Sequence, residues 1–504
     1  MSGWAKAGHD VVARAAQAQP QTIAVRNLMT DESLSYGALD DAIARCTAWL
    51  EKNFPTRGSR IALLARNGFL HMILFYACAR AGAIFVPLNW RLTGSELKSL
   101  MGDCGPELVV FHSDFAEAAC IAAADVPRIM AMDDFQKTID ASAPSLSRPA
   151  DPGAIFLLLY TSGTTGRPKA VTLSARNSFF ESANFAHVGK VDSSSVLLLN
   201  VPMFHTVGLM AIMNTAFITG GRVLMTNRFI PGEALSQLSD PALGLTHYFC
   251  VPQIAQAMVN DPEYANADLT RLTGLFTGGA PMPPSLTKKL VADGIMAVNG
   301  YGMSETGTAV HMPLDKAVIL AKLGSTGRPA PFIEIRLVGQ DGKDVETGDI
   351  GEIWLKGPGV SKGYWNQPDA NAQCFSGPWL RTGDAARRDA DGFYFVVDRW
   401  KDLYISGGEN VYPAEVEAVL RELTGVLDAA VVGVPDPKWG ESGCAYFVLR
   451  QGTTLNNEAI LAHCASRLAR YKHPAHIRFI DAIPRNAAGK ILKNELRKNF
   501  AAEN

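Results

Sequence analysis

Short, wholly apolar runs alternate with helical stretches along much of this chain, and that alternation most narrows the folds open to it. Arg60-Ile61-Ala62-Leu63-Leu64-Ala65 reads as a buried strand, His71 to Ala81 as a helix, and Ala83-Ile84-Phe85-Val86-Pro87-Leu88 as the next strand. Leu108-Val109-Val110-Phe111, Val196 to Val201 and Gly221-Arg222-Val223-Leu224-Met225 repeat the pattern. Strands apolar on both faces need cover on both faces, so the spacing predicts parallel sheets coated by helices. Past residue 320 the rhythm changes to short strands between Gly/Asp turns, at 334–338, 351–355 and 392–397, which predict a small antiparallel sheet or barrel. After the charged segment 398–402 comes a smaller α/β unit, with a helix over 413–423, strands over 429–434 and 444–449, and a helix over 457–468. A domain boundary is expected at that charged segment.

One of the apolar runs, Ala154 to Leu159, ends in Tyr160-Thr161-Ser162-Gly163-Thr164-Thr165-Gly166-Arg167-Pro168-Lys169. Four hydroxyl side chains and two glycines occupy the six residues 161–166, and Lys169 follows. Glycines let successive N–H groups point inward together, hydroxyls add donors and the lysine adds charge, a combination that suits a polyphosphate. This is not a Walker A loop, because Pro168 and Ala170 flank the lysine where Gly and Ser/Thr would be needed.

Composition excludes several function classes. A chain of 504 residues exceeds one compact core, so two to four domains or subdomains are expected. A formal net charge of −2 gives no general attraction to nucleic acid or anionic membrane. The eight cysteines are scattered without a C-x-x-C pair, which fits reduced thiols and argues against a zinc site or disulfide framework. No run reaches the ~18 apolar residues of a membrane span, and Met1 to Pro20 lacks the apolar core of a signal peptide. A soluble, cytoplasmic enzyme is the expectation.

Further motifs follow the phosphate loop in order: Gly278-Gly279-Ala280-Pro281, Asn299-Gly300-Tyr301-Gly302-Met303-Ser304-Glu305, Tyr364-Trp365-Asn366, Thr382-Gly383-Asp384 and Asp398-Arg399. Ser406-Gly407-Gly408-Glu409-Asn410-Val411-Tyr412-Pro413 and Pro484-Arg485-Asn486-Ala487-Ala488-Gly489-Lys490 complete the set. In that order, and over roughly residues 20 to 495, the chain resembles the adenylate-forming superfamily of acyl-CoA synthetases, luciferases and peptide-synthetase adenylation domains. Its texture is nearest the bacterial fatty acyl-CoA and feruloyl-CoA synthetases, through 277–281 and 405–413. The resemblance implies an α/β fold: a large domain, 1–399, of two parallel helix-covered sheets plus a small β-barrel-like subdomain, and a mobile α+β lid, 400–504, hinged near Lys401.

By the same resemblance, Thr161, Ser162, Gly163, Thr164, Thr165, Gly166 and Lys169 would cover the β/γ-phosphates of ATP. Tyr301 would flank adenine, in a pocket made by Gly279, Ala280, Pro281, Asn299, Gly300 and Gly302. Ser304 stands where the family more often has Thr and would bond the α-phosphate. Glu305, with the Thr161 hydroxyl, would hold Mg²⁺, as hard oxygen ligands should. Asp384 would accept from the ribose hydroxyls and Arg399 would donate to them; an isolated Thr-Gly-Asp is a common turn and carries meaning only within the set. Lys490 would bridge the substrate carboxylate and the α-phosphate, although on residues alone it reads equally as one lysine of a basic tail. Rotation about Lys401 would withdraw Lys490 and bring the Ser406–Asn410 loop forward, with Gly407 and Gly408 leaving room for the pantetheine arm of coenzyme A. Trp439, in Trp439-Gly440-Glu441, matches a loop that meets CoA, and Arg467, Arg470, Lys472 and His473 either contact CoA phosphates or form a solvated face.

His205 matches an aromatic gate between acid and thiol tunnels, although a lone histidine can equally be a satisfied core residue. Val207, Gly208, Met210, Phe249, Val251, Thr277, Gly278, Gly302, Met303 and Thr308 would line the acid site. That lining is mostly apolar and holds no arginine, so small diacids are disfavoured and an apolar or aromatic monocarboxylate fits. Two departures touch no expected ligand: Ala170 replaces a glycine, and Ala175 replaces a histidine. The expected activity is ATP-dependent ligation of a medium- or long-chain fatty acid, or an aromatic acid such as a hydroxycinnamate, to CoA through an acyl-adenylate. A stand-alone enzyme loading a carrier-protein thiol is the alternative, and the resemblance admits a homodimer.

Overall fold

A computed structural model describes residues 10–145, 151–161, 168–400, 402–406, 409–485 and 491–503. The chain divides into two compact units, Met1–Ile335 with Leu355–Leu380, and Arg336–Trp354 with Arg381–Asn504. The segment 400–504 falls in the second unit, together with strand-forming residues that precede it in sequence.

The first unit is built on two sheets, as the alternation implies. One has nine strands, in the order Arg328–Pro329, Gly307–His311, Ala297–Met303, Gly274–Thr277, His247–Cys250, Val196–Leu199, Arg222–Met225, Ile23–Asn27 and Ser33–Ser35. Its central pairings are parallel, and antiparallel strands close both edges. The other has six strands, in the order Arg128–Ala131, Leu108–Phe111, Arg60–Leu64, Ile84–Pro87, Ile155–Thr161 and Lys169–Ser174; only its last pair is antiparallel. Ile61 to Leu64, Phe85, Val86 and Val196 to Leu199 are almost wholly buried, which is why these strands read as unbroken apolar runs. The helix between the first two starts at Phe69 rather than His71, directly after Gly68, and ends at Gly82, whose φ of 73° provides the left-handed turn. It is apolar nearly all round and correspondingly buried.

Helix Ala175–Gly189 positions much of the site. Ser174 caps it through a reciprocal box with Asn177: the Asn177 N–H donates to Ser174 Oγ (3.2 Å) and the Ser174 N–H donates to Asn177 Oδ1 (3.0 Å). The Asn177 amide then donates to the carbonyls of Pro358 (3.0 Å) and Val360 (2.8 Å), pinning that segment to the helix start.

In the second unit, Trp379–Arg388 pairs antiparallel with Tyr394–Arg399. Downstream, Glu409–Val411, Tyr404–Ser406, Gly440–Leu449 and Val426–Asp436 lie in that order, with His476–Phe479 parallel to Gly440–Leu449. Helices Pro413–Leu420 and Asn457–Ala465 cover one apolar cluster around Tyr404, Val431 and Phe447, and Lys493–Glu503 covers another around Val432, Cys444 and Tyr446. Strands and helices thus lie where the pattern places them, with strands longer than expected. Among the described residues, no helix is long and apolar enough to cross a membrane.

Candidate active site

The phosphate loop is held at both ends. Thr161 ends one strand and Lys169 begins the next; the two are cross-strand partners, and Thr161 Oγ1 donates to the Lys169 carbonyl (3.3 Å). Ser162, Gly163, Thr164, Thr165 and Gly166 lie outside the described residues, as do Lys401, Gly407, Gly408 and Lys490.

Glu305 sits in the turn that joins Ala297–Met303 to Gly307–His311, closed by the Thr306 N–H donating to the Met303 carbonyl (3.1 Å). A Cβ at Gly302 would collide with the Gly307 carbonyl, so glycine is required for the strands to meet there. The Glu305 side chain is 5% exposed and accepts a hydrogen bond of 2.6 Å from the Tyr364 hydroxyl. Tyr364 belongs to a motif to which sequence reasoning gave no role, and the structure supplies one. Its backbone is clamped by Asn371, with N–H to Oδ1 at 2.7 Å and Nδ2 to carbonyl at 2.9 Å. The segment extends the Lys169–Ser174 edge, since the Trp365 N–H donates to the Ala170 carbonyl (2.9 Å) and both N–H and Oγ1 of Thr172 donate to the Gly363 carbonyl (2.9 Å). Lys169 Nζ consequently stands 5.1 Å from the centre of the Tyr364 ring. Lysine, tyrosine and glutamate, remote in sequence, form one connected group.

Behind Glu305 lies an acid that sequence reasoning missed. Glu181, on helix Ala175–Gly189, is 1% exposed, and neither carboxyl oxygen has a hydrogen-bond partner among the described residues. It is wedged against the backbone of Gly307, where a Cβ would stand 2.7 Å from Glu181 Cγ, and near Gly359. Burial, and then the charge of Glu305, hold the Glu181 carboxyl well above the usual carboxylate range. Burial and the same charge also raise the Tyr364 phenol, which therefore keeps its proton and donates it. The sequence offered no signal for Glu181 beyond one acid within Phe179-Phe180-Glu181-Ser182.

The segments expected to meet nucleotide and acid lie at the ends of three neighbouring strands. Thr277 and Asn299 are register partners, with Thr277 Oγ1 donating to the Val298 carbonyl (3.3 Å), and the Asn299 amide donates to the Ser325 carbonyl (3.2 Å). Gly279 turns with φ of 80°, Ala280 is half-buried and Pro281 is exposed. Tyr301, Met303 and Ser304 are half-buried, and Tyr301 lies in register with Val310. A Cβ at Gly278 would stand 3.3 Å from Phe249 Cζ and 3.7 Å from the Gly300 carbonyl, so these three expected neighbours do adjoin.

His205 packs on Phe204, with ring centroids 4.4 Å apart, directly before the π-helix Val207–Asn214. Such wide turns are rare and concentrate at functional sites. Gly208 is needed there because a Cβ would stand 2.5 Å from the Pro202 carbonyl. Burial, and then the Arg91 charge, push the His205 pKa down to about 4, so its imidazole is neutral at ordinary pH. The π-helix packs against helix Ala175–Gly189 and strands His247–Cys250 and Gly307–His311, which joins the His205 segment to Phe249 and Gly278.

The second unit carries a self-contained arrangement. Asp384 and Arg399 are register partners, with Arg399 Nε 2.9 Å from Asp384 Oδ1 and Arg399 Nη1 donating to the Thr382 carbonyl (3.3 Å). The Thr382 hydroxyl ties the turn down: it donates to the Ile353 carbonyl (2.8 Å) and accepts from the Asp384 N–H (3.1 Å). Ser406 pairs with Gly440, so Ser406 and Trp439-Gly440-Glu441 are adjacent. Trp439 is 49% exposed, with Lys438 Nζ 4.7 Å from its ring centre. Arg467 and Lys472, expected either to contact CoA phosphates or to form a solvated face, pair with Glu422 (3.0 Å) and Glu415 (2.7 Å).

The Glu305 carboxylate and the Thr161 hydroxyl are hard oxygen donors, the kind a divalent cation such as Mg²⁺ takes. Among the described residues no three His, Cys, Asp or Glu side chains cluster so as to hold a metal ion.

Comparison with known proteins identifies the family. The AMP-binding enzyme family matches residues 12–365, and the AMP-binding enzyme C-terminal domain matches 415–490. The chain is 38% identical over 488 residues to a feruloyl-CoA synthase of Amycolatopsis sp., covering 97% of this chain and 98% of that one. It is 35% identical over 482 residues to the long-chain-fatty-acid–CoA ligase FadD13 of Mycobacterium tuberculosis, covering 94% of each. The o-succinylbenzoate coenzyme A synthetase of Bacillus subtilis, solved with ATP and magnesium ion, superposes with a TM-score of 0.86 at 31% identity, covering 96% of this chain and 98% of that one. With the family spanning most of its length, the chain belongs to the AMP-binding, adenylate-forming enzymes, in their acyl-CoA synthetase branch, and is an AMP-forming acid–thiol ligase.

Proposed function

We propose that the enzyme activates an apolar or aromatic monocarboxylic acid with ATP and transfers the acyl group from the adenylate to coenzyme A. A carboxylate is a poor acyl donor because its leaving group would be oxide; joining it to AMP supplies a good one, with pyrophosphate released. The observation that carries the reading is the Lys169–Tyr364–Glu305 group, which places a cation, a hydroxyl and a carboxylate beside the strand ends that bracket the 162–167 loop.

In this reading Thr161, Lys169 and the 162–166 loop bind the β/γ-phosphates, and Ser304 bonds the α-phosphate. Glu305 and Thr161 would hold Mg²⁺, which when bound neutralises phosphate charge. Tyr364 orients the Glu305 carboxylate through its hydroxyl. Asp384, fixed by Arg399, accepts from the ribose hydroxyls. Lys490 stabilises charge as the α-phosphate is attacked. The lid, 400–504, then turns about Lys401, and the Gly407–Gly408 loop with Trp439 admits the CoA thiol past His205. That histidine is neutral, so it can pack as a gate without attracting phosphate.

The absence of arginine from the expected lining supports a monocarboxylate, since a second carboxylate would be buried unpaired. The experiment is pyrophosphate release across short, medium and long fatty acids, benzoates and hydroxycinnamates, with the CoA thioester identified by mass spectrometry. Release with an acid and ATP, followed by a thioester only when CoA is supplied, is the expected result. Adenylate formation without CoA transfer would redirect the reading to a carrier-protein thiol, and no exchange with any acid would end it.

A further inference from the structure

Two histidines flank the ring of Phe276, and they differ in one respect that matters. His247 stacks on it, with centroids 5.8 Å apart and planes 7° apart, and both its nitrogens are satisfied: Nδ1 meets Thr246 Oγ1 at 2.7 Å and Nε2 meets the Gly189 carbonyl at 2.9 Å. That is how a core histidine normally sits. His311 packs on the same ring with centroids 5.5 Å apart and is 6% exposed, yet neither nitrogen has a hydrogen-bond partner among the described residues. The backbone of Met312 supports its charged form but meets neither nitrogen in hydrogen-bond geometry. An unpaired buried polar group costs roughly 1–3 kcal/mol, so two unmet nitrogens on one ring ask for a partner that the described chain does not provide.

The surroundings say what that partner is. Phe185 lies 6.3 Å from His311, 5.1 Å from Phe276 and 5.4 Å from Phe249, the residue that adjoins Gly278 in the expected acid site. His311 is therefore continuous, through aromatic rings, with that site. It also faces Gly300: the two are register partners, and a Cβ at Gly300 would stand 3.3 Å from His311 Cδ2. Glu305 precedes the start of strand Gly307–His311 and His311 ends it, so the two lie at opposite ends of that strand. A neutral imidazole carries one donor and one acceptor, which a hydroxyl matches and an alkyl chain cannot.

Resting on the acyl-CoA ligase reading, we propose that His311 is a specificity-determining residue that hydrogen-bonds a hydroxyl at the distal end of an aromatic acid, within walls formed by Phe185, Phe249 and Phe276. The substrate class is then a hydroxylated aromatic acid rather than an unsubstituted fatty acid. A site built to bond a hydroxyl rejects the analogue lacking it far more strongly than an apolar pocket rejects a missing methylene.

The test is ATP–pyrophosphate exchange by the full chain with 4-hydroxycinnamate, 3-hydroxycinnamate, cinnamate and decanoate. The expected kcat/KM for the better hydroxycinnamate exceeds that for cinnamate by about tenfold or more, and exceeds that for decanoate. His311→Phe should lower the hydroxycinnamate value about tenfold, mainly through KM, while leaving cinnamate unchanged or improved; His311→Gln, which keeps a donor and an acceptor, should recover part of the loss. Equal use of cinnamate and hydroxycinnamates by the wild type, preference for decanoate, or equal losses on both cinnamates in His311→Phe would overturn the proposal while leaving the ligase reading intact. The wild-type acid comparison decides the matter even if the variants fail to fold. Absence of exchange with every acid would instead fell the ligase reading, and the proposal with it.

Discussion

Glu305 and Asp384 are both buried carboxylates expected to serve the nucleotide, one in each compact unit, and the contacts that hold them differ in kind. Asp384 meets the Arg399 guanidinium at 2.9 Å across a strand pair, so its charge is balanced before any ligand arrives. Glu305 instead accepts from a phenol and has a second acid, Glu181, behind it. A balanced carboxylate is suited to neutral hydroxyls, such as those of a ribose. A carboxylate that meets a phenol hydroxyl keeps oxygen lone pairs of the kind a hard cation takes. The difference matches the separate roles proposed for the two acids, a cation for Glu305 and ribose hydroxyls for Asp384.

Neither acid can supply positive charge to the α-phosphate, a task that the proposed function gives to Lys490. Lys490→Ala should therefore show the largest effect, an adenylation loss of about 10²-fold or more, with thioester synthesis from supplied acyl-adenylate spared. Equal loss in the two half-reactions, measured separately, would remove the lysine from this role. Next in size, Glu305→Gln should cut adenylation by about 10²-fold at low Mg²⁺ and shift the Mg²⁺ half-saturation upward. Asp384→Asn should raise the KM for ATP by about tenfold with no shift in Mg²⁺ dependence. Identical Mg²⁺ titrations of the two variants would erase the contrast between the acids. Tyr364→Phe removes one hydrogen bond to a charged group, so adenylation should fall by roughly tenfold, with the Mg²⁺ dependence moving in the same direction as in Glu305→Gln.

The smallest effect concerns Glu181 and is read in stability. Its folded pKa lies above the ordinary value of 4.5, so the folded chain retains a proton that the unfolded chain releases. Stability from this group is full below that ordinary value and is lost as pH rises toward the folded one. Glu181→Gln should thus raise the apparent Tm by about 2 °C near pH 8, with the difference shrinking near pH 5. A pH-independent difference, in thermal scans at matched ionic strength, would show that Glu181 does not titrate against its surroundings.

Much of the fold was legible because its signals are local. Ile61–Leu64, Phe85–Val86 and Val196–Leu199 are buried on both faces, and a short apolar run states that directly. The helix at Phe69–Ala81 began two residues before the expected start because Gly68, not an apolar residue, marks its beginning. Motifs bearing on the site were legible for the same reason, since each is a short segment with its own turn chemistry. Tyr364 stood in such a motif without a role, because its partner Glu305 lies 59 residues away. Glu181 and His311 carried no signal at all: a single acid in a helix and a single histidine in a strand become informative only when their lack of partners is known.

Local order along the chain determined that apolar strands would alternate with helices, that a donor-rich loop would follow one of them, and that the adenylate-forming motifs would appear in sequence. Those features depend on neighbours a few residues apart, and short-range sterics and hydrogen bonding suffice to set them. Which carboxylate meets a guanidinium, which meets a phenol, and which of two similar histidines is satisfied were decided only by tertiary packing. A group's charge balance and hydrogen-bond satisfaction depend on whatever the fold brings within a few ångströms, and in this protein those partners come from distant parts of the chain.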